Sequence, residues 1–95
     1  MFKNISVNDL EKIDDGIIID IRSNNKYRDG NIFNSINIPC DQLLINYSKY
    51  LKKDNKYYIY CQKGFRSKQL CRFLFNKGYN VINVIGGYET WILKK

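Results

Sequence analysis

Tyr57-Tyr58-Ile59-Tyr60-Cys61-Gln62-Lys63-Gly64-Phe65-Arg66-Ser67 is the stretch that decides how this chain folds. Its first four residues are aromatic or β-branched strand formers, and they run straight into a cysteine. Beyond the loop, Leu70, Cys71, Leu74 and Phe75 recur on one side of a helix, which is predicted to open at Ser67 as N-cap and to stop at Gly78. A strand delivered into a helix through a short loop is the repeating unit of a parallel α/β sheet. In open sheets of that kind, ligands bind beyond the carboxyl ends of the strands, where this loop lies.

Working outward, Phe2 to Ile5 reads as an edge strand, and Ser6 with Asp9 has the spacing of a capping box. The helix it opens is expected to bury Val7, Leu10 and Ile13 and to end at Gly16. Ile17 to Ile21 reads as a buried strand, Arg22 to Gly30 as a loop or short helical turn, and Ile36 to Ile38 as a strand closed by Pro39. Leu43, Leu44, Tyr47 and Leu51 predict a helix over about 41–51. On the other side, Val81 to Ile85 is the last strand, Gly86-Gly87 a turn, and Tyr88 to Leu93 a closing helix that buries Trp91. The expectation is an α/β fold with a five-stranded parallel sheet flanked by helices, residues 1–95 forming a single domain.

Composition narrows the chemistry. Ninety-five residues suffice to bury about two-thirds of the unfolded surface, and 44% apolar with 26% charged residues is ordinary for a globular chain. There is no histidine, which excludes Ser-His-Asp triads, Cys-His protease pairs and His-containing zinc sites. The three cysteines, Cys40, Cys61 and Cys71, form no CxxC pair, so neither a metal nor a cofactor is expected. Apolar runs such as Ile17-Ile18-Ile19 fall far short of a membrane span, and Met-Phe-Lys-Asn is followed by no apolar signal core, so a cytoplasmic protein without membrane contact is expected. The net charge of +7 invites a nucleic-acid reading. The excess is lysine, at positions such as 49, 52, 53, 56, 94 and 95, scattered as on solvated faces, and nucleic acid is not expected as the main partner.

The loop itself points to a thiol. A cysteine facing a helix N-terminus meets unsatisfied N–H groups and the positive end of the helix dipole, which favour its thiolate. Lys63 and Arg66 push in the same direction, and Gly64 permits a backbone turn that lets successive amides curl into an anion-binding nest. The plainer reading, an inert cysteine buried at a strand end, remains open. It does not require Cys, Gly, Arg and Ser together within seven residues after a strand.

This loop resembles the active-site loop of rhodanese-like domains, Cys-x-x-Gly-x-Arg-Ser/Thr. Upstream, Asp20-Ile21-Arg22 is similar to the family's Asp-x-Arg. Tyr27, Gly30-Asn31-Ile32 and Ser35-Ile36-Asn37-Ile38-Pro39 resemble its Tyr/Phe, Gly-His-Ile and Ala-Ile-Asn-Ile-Pro stretch, with Asn31 departing from the usual histidine. Downstream, Gly86-Gly87-Tyr88 to Trp91 resembles its terminal Gly-Gly-x-x-x-Trp. The resemblance runs from Val7 to Trp91 in the family's order.

What it implies is a three-layer rhodanese-like fold and a sulfurtransferase whose Cys61 carries sulfane sulfur as a persulfide. The donor would be a small compound such as thiosulfate, the acceptor a thiol or cyanide, with a sulfur-relay protein as a further partner. Gln62, Lys63, Gly64, Phe65 and Arg66 would bind substrate, the amides from Gln62 to Arg66 holding the persulfide. Asp20, Arg22 and Ser67 would be structural supports. Two alternatives use the same loop: a phosphatase or arsenate reductase, and a non-catalytic interaction module. Phosphatase-like loops are one residue longer between Cys and Arg than the four here, and non-catalytic rhodanese-like modules commonly lose the cysteine. Of the remaining candidates, Cys71 is read as core packing, Cys40 as a thiol placed after Pro39 on the same side of the sheet, and Lys56 with Tyr57, Tyr58 and Tyr60 as strand packing.

Overall fold

A computed structural model describes residues 1–94. Lys95, counted above among the scattered lysines, lies outside the described residues. Five strands, β1 (Lys3–Ile5), β2 (Ile17–Asp20), β3 (Ser35–Asn37), β4 (Lys56–Tyr60) and β5 (Asn80–Val84), form one parallel sheet in the order β1-β5-β4-β2-β3. Parallel pairing demands crossovers, and the helices α1 (Val7–Leu10), α2 (Asn24–Asp29), α3 (Cys40–Tyr50), α4 (Phe65–Asn76) and α5 (Gly87–Leu93) surround those strands. Among the described residues no helix is long and apolar enough to cross a membrane.

The period of two along β4 sorts its side chains between two cores. Tyr57, Ile59 and Cys61 join Leu43 of α3 and Leu70, Cys71 and Leu74 of α4 on one face. Tyr58 and Tyr60 join Val7 and Leu10 of α1 and Trp91 of α5 on the other. Burying side chains of this size stabilises by about 1.5–3 kcal/mol each, so the sheet is clamped from both sides. Tyr47 of α3 packs edge-on against Phe73 of α4 and against Tyr79, with ring centroids 5.6 and 5.7 Å apart, and ties the first layer together.

Several expected details are corrected. α1 is a single turn: Ser6 Oγ accepts from the Asp9 amide as the capping spacing implies, but Ile13 lies beyond the helix and is half-buried. Of the two readings of Arg22 to Gly30, loop or short helical turn, the helical one holds, as the six-residue α2 capped by Ser23. Leu44 and Phe75 are 43% and 41% exposed, because each sits about 100° round its helix from a neighbour, Leu43 or Leu74, that faces the sheet. α3 is interrupted at Asn46 (φ −123°, ψ 35°), a residue type that competes poorly for helix. Ile85 falls outside β5 and is exposed. The most consequential correction concerns α4, which opens at Phe65 with Gly64 as N-cap, three residues before the predicted cap at Ser67.

Candidate active site

Gly64 adopts φ 98°, a left-handed conformation that turns the chain straight from the loop into α4. A glycine cap has no side chain to satisfy the first amides of its helix. Cys61 Sγ takes that place, accepting from the Gly64 amide at 3.1 Å and from the Ser67 amide, in the first turn of α4, at 3.3 Å. Two N–H groups and a helix N-terminus thus converge on the sulfur of a residue that is 6% exposed, an arrangement that stabilises negative charge there. Ser67, predicted as cap and support, is fully buried and touches the sulfur directly, its Oγ 3.3 Å from Sγ. Of the amides expected to surround the sulfur, Gly64 is in contact, and Ser67, just beyond the expected range, is the second.

The loop is fastened from behind by the turn before α5. Tyr88 and Glu89 donate backbone N–H to the carbonyls of Cys61 and Gln62 at 2.9 and 3.0 Å. Gly87 (φ 61°) makes this approach possible, since a Cβ there would lie 2.3 Å from the Cys61 carbonyl oxygen. The Gly-Gly-x-x-x-Trp stretch is therefore a buttress for the cysteine loop, with Trp91 anchoring its helix in the second core.

From the side, the loop is held by the charged pair at the end of β2. Asp20 is fully buried and accepts from Arg22 N at 2.8 Å, Nε at 3.0 and 3.1 Å and Nη2 at 2.7 Å, and from Tyr60 Oη at 2.6 Å. Arg22 in turn donates to the Gly30 carbonyl at 2.6 Å and, through Nη1, to Gln62 Oε1 at 3.1 Å, with its guanidinium 4.1 Å from the Tyr88 ring centroid. Burial works against the Arg22 charge, but Asp20 more than offsets it, and the guanidinium is held above its ordinary value. Burial first, and the Asp20 hydrogen bond second, push the Tyr60 hydroxyl well above its ordinary value, so it stays a neutral donor.

Cys61 opens onto a cleft of about 470 Å³ whose wall includes Arg22, Lys26, Lys63, Phe65 and Arg66. Lys63, Arg66 and Phe65 are exposed there, Phe65 by 73%. A larger cavity of about 630 Å³, bounded by Leu10, Phe33 and Trp91 on the other face of the sheet, includes none of the predicted site residues. The other thiols differ. Cys71 is fully buried in α4 and burial, with Cys61 nearby, pushes its thiol up to about 12. Cys40, at the start of α3, is half-buried against the core that holds Cys61, and desolvation raises its thiol while Arg66 lowers it. Among the described residues no group of three or more His, Cys, Asp or Glu could hold a metal ion.

Two residues were missed in the sequence. Tyr60 packs in the second core as its place in the strand implies, but its hydroxyl is also the centre of the Asp20 network, a role the sequence does not signal. Asn83, a polar residue inside the apolar run of β5, accepts from Ser67 Oγ at 2.6 Å; its only signal was that interruption of the run.

The model of the rhodanese-like domain family matches residues 6–94. A sulfurtransferase of Allochromatium vinosum is 34% identical over 83 residues, 86% of this chain and 77% of that protein. A thiosulfate sulfurtransferase of Coxiella burnetii is 32% identical over 95 residues, 96% of this chain and 88% of that protein. A rhodanese-related protein of Thermoplasma volcanium has a crystal structure that superposes with a TM-score of 0.89 at 36% identity, covering 98% of this chain and 93% of that one. The fold, the cysteine loop with its buttress, and these relatives agree: the chain belongs to the rhodanese-like domain family.

Proposed function

We propose that this protein is a sulfurtransferase that carries sulfane sulfur on Cys61. The observation that carries the reading is Cys61 Sγ seated on the amides of Gly64 and Ser67 at the mouth of a cleft lined by Arg22, Lys26, Lys63 and Arg66. The thiolate attacks the outer sulfur of a donor such as thiosulfate; the donor's S–S bond breaks, sulfite leaves with the bonding pair, and a Cys61 persulfide forms. An acceptor thiolate or cyanide then attacks the terminal sulfur, taking it and restoring the Cys61 thiolate. Cations at the cleft favour an anionic donor, and the amides that support the thiolate also support the persulfide. The names of the Allochromatium and Coxiella relatives support the same chemistry. A cytoplasmic setting, with a thiol or sulfur-relay protein as acceptor, completes the proposal.

The short loop favours sulfur over phosphate. With four residues between Cys61 and Arg66, the amides close on one sulfur rather than on three equatorial phosphoryl oxygens. Intact-protein mass spectrometry after incubation with thiosulfate tests the reading. Addition of one sulfur, removed by a thiol reductant, is expected in the unmodified protein and in Cys71→Ser, and none in Cys61→Ser. Undiminished loading of Cys61→Ser, or Cys61-dependent hydrolysis of a nitrophenyl phosphate faster than sulfur transfer, would overturn it.

A further inference from the structure

Asn83 sits inside β5, 3% exposed, between a neighbour on the sheet edge and the first turn of α4. Its Nδ2 donates to Asn4 Oδ1 at 3.2 Å, and its Oδ1 lies 2.6 Å from Ser67 Oγ. A carboxamide oxygen only accepts, so this short contact commits the single hydroxyl proton of Ser67 to Asn83. The competing acceptor, the Gly64 carbonyl, is at 3.3 Å. What Ser67 Oγ then offers Cys61 Sγ is a lone pair. That lone pair accepts the S–H of the thiol, but it gives the thiolate nothing, and the anion is left with the two amides.

We propose that Asn83 is a positioning residue that holds the Ser67 hydroxyl proton away from Cys61, so that the sulfur anion is less stabilised and more nucleophilic. Asn4 belongs to the device. Because it accepts from Nδ2, the oxygen end of the Asn83 carboxamide is the end that meets Ser67. Turned round, Nδ2 would donate to Ser67 Oγ, and the hydroxyl proton would be released to the two acceptors at 3.3 Å, the Gly64 carbonyl and Cys61 Sγ, of which the anionic sulfur is the stronger. The other groups around the sulfur are the cleft cations Arg22, Lys26, Lys63 and Arg66 and the thiols of Cys40 and Cys71, none of which is a hydrogen-bond partner of the Asn83 side chain.

The inference rests on Cys61 as the sulfur-carrying nucleophile, but its deciding measurement, alkylation, does not need a sulfur donor, so the two can fail separately. Alkylation of Cys61 by iodoacetamide is followed against pH by peptide mass spectrometry. Asn83→Leu is expected to lower the midpoint by about one pH unit, the worth of one hydrogen bond to a charged sulfur. In the Ser67→Ala background the same substitution is expected to leave the midpoint where it was. At a pH above both midpoints, sulfur transfer by Asn83→Leu should be about threefold slower, because a more stabilised thiolate is a weaker nucleophile. Asn4→Ala, at an exposed position, should shift the midpoint the same way by less, again only with Ser67 present, and it decides the matter if Asn83→Leu does not fold. A midpoint that stays or rises, or that moves equally with and without the Ser67 hydroxyl, would overturn the proposal; a shift with Asn83→Leu but not with Asn4→Ala would remove Asn4 from it.

Discussion

The chain leaves the sheet at the same level after β2 and after β4, whose ends Asp20 and Tyr60 are paired in register, and the two loops use their polar groups in opposite ways. After β2, the buried charges of Asp20 and Arg22 are satisfied by one another and by Tyr60, Gly30 and Gln62. After β4, the sulfur receives only backbone amides, while Lys63 and Arg66 stand exposed beside a cleft and, among the described residues, form no ion pair. A saturated network holds geometry; an unsaturated one leaves a field for an incoming anion. The contacts from Arg22 to Gln62 and to the Tyr88 ring connect the two, so the closed loop positions the open one.

The comparison breaks most visibly at Asp20. Asp20→Ala leaves the Arg22 guanidinium buried without its counter-charge, and removing one partner of such a pair costs about 3–5 kcal/mol. Urea unfolding measures this directly, and a loss below about 1 kcal/mol would mean the network is not what holds this end of the sheet. The second thiol gives a smaller, pH-dependent effect. Cys71 keeps its proton in the folded protein from its ordinary 9.0 up to about 12, whereas the unfolded chain releases it near the ordinary value. Its contribution is therefore fully present below about pH 9 and is lost at about 1.4 kcal/mol per pH unit above it. Tyr60, also held above its ordinary value, steepens the same limb above about pH 10. Cys71→Ala should flatten the alkaline slope of stability, and an unchanged slope would contradict the burial argument. The smallest effect on stability belongs to the open loop: Lys63→Ala and Arg66→Ala should each leave unfolding within about 0.5 kcal/mol of the parent. Each should nevertheless raise KM for thiosulfate severalfold, more at low salt than at high. A KM that ignores both substitutions and the ionic strength would show that the cations do not attract the donor.

Much of this was legible in the chain itself. Five apolar runs with helical stretches between them specify the parallel sheet, because period two and period 3.6 are local properties of the sequence. Cys61, Gly64, Arg66 and Ser67 were legible as a group for the same reason: the chemistry of a strand-loop-helix junction needs residues adjacent in sequence. The start of α4 was not, since Ser67 is the better cap by propensity. What displaced it was Gly64 in a left-handed turn against the Gly86 backbone, with Cys61 Sγ as the capping group, a partner that only the closed loop supplies. Neither the inward face of Leu43 over Leu44 nor the network joining Asp20, Tyr60 and Gln62 across 40 residues can be read locally, because each depends on which strand lies beside which. Asn83 is the clearest case. Its sequence neighbours are apolar and mark it only as an oddity in β5. Pairing with β1 brings Asn4 to one side, α4 brings Ser67 to the other, and a buried carboxamide must be satisfied at both ends.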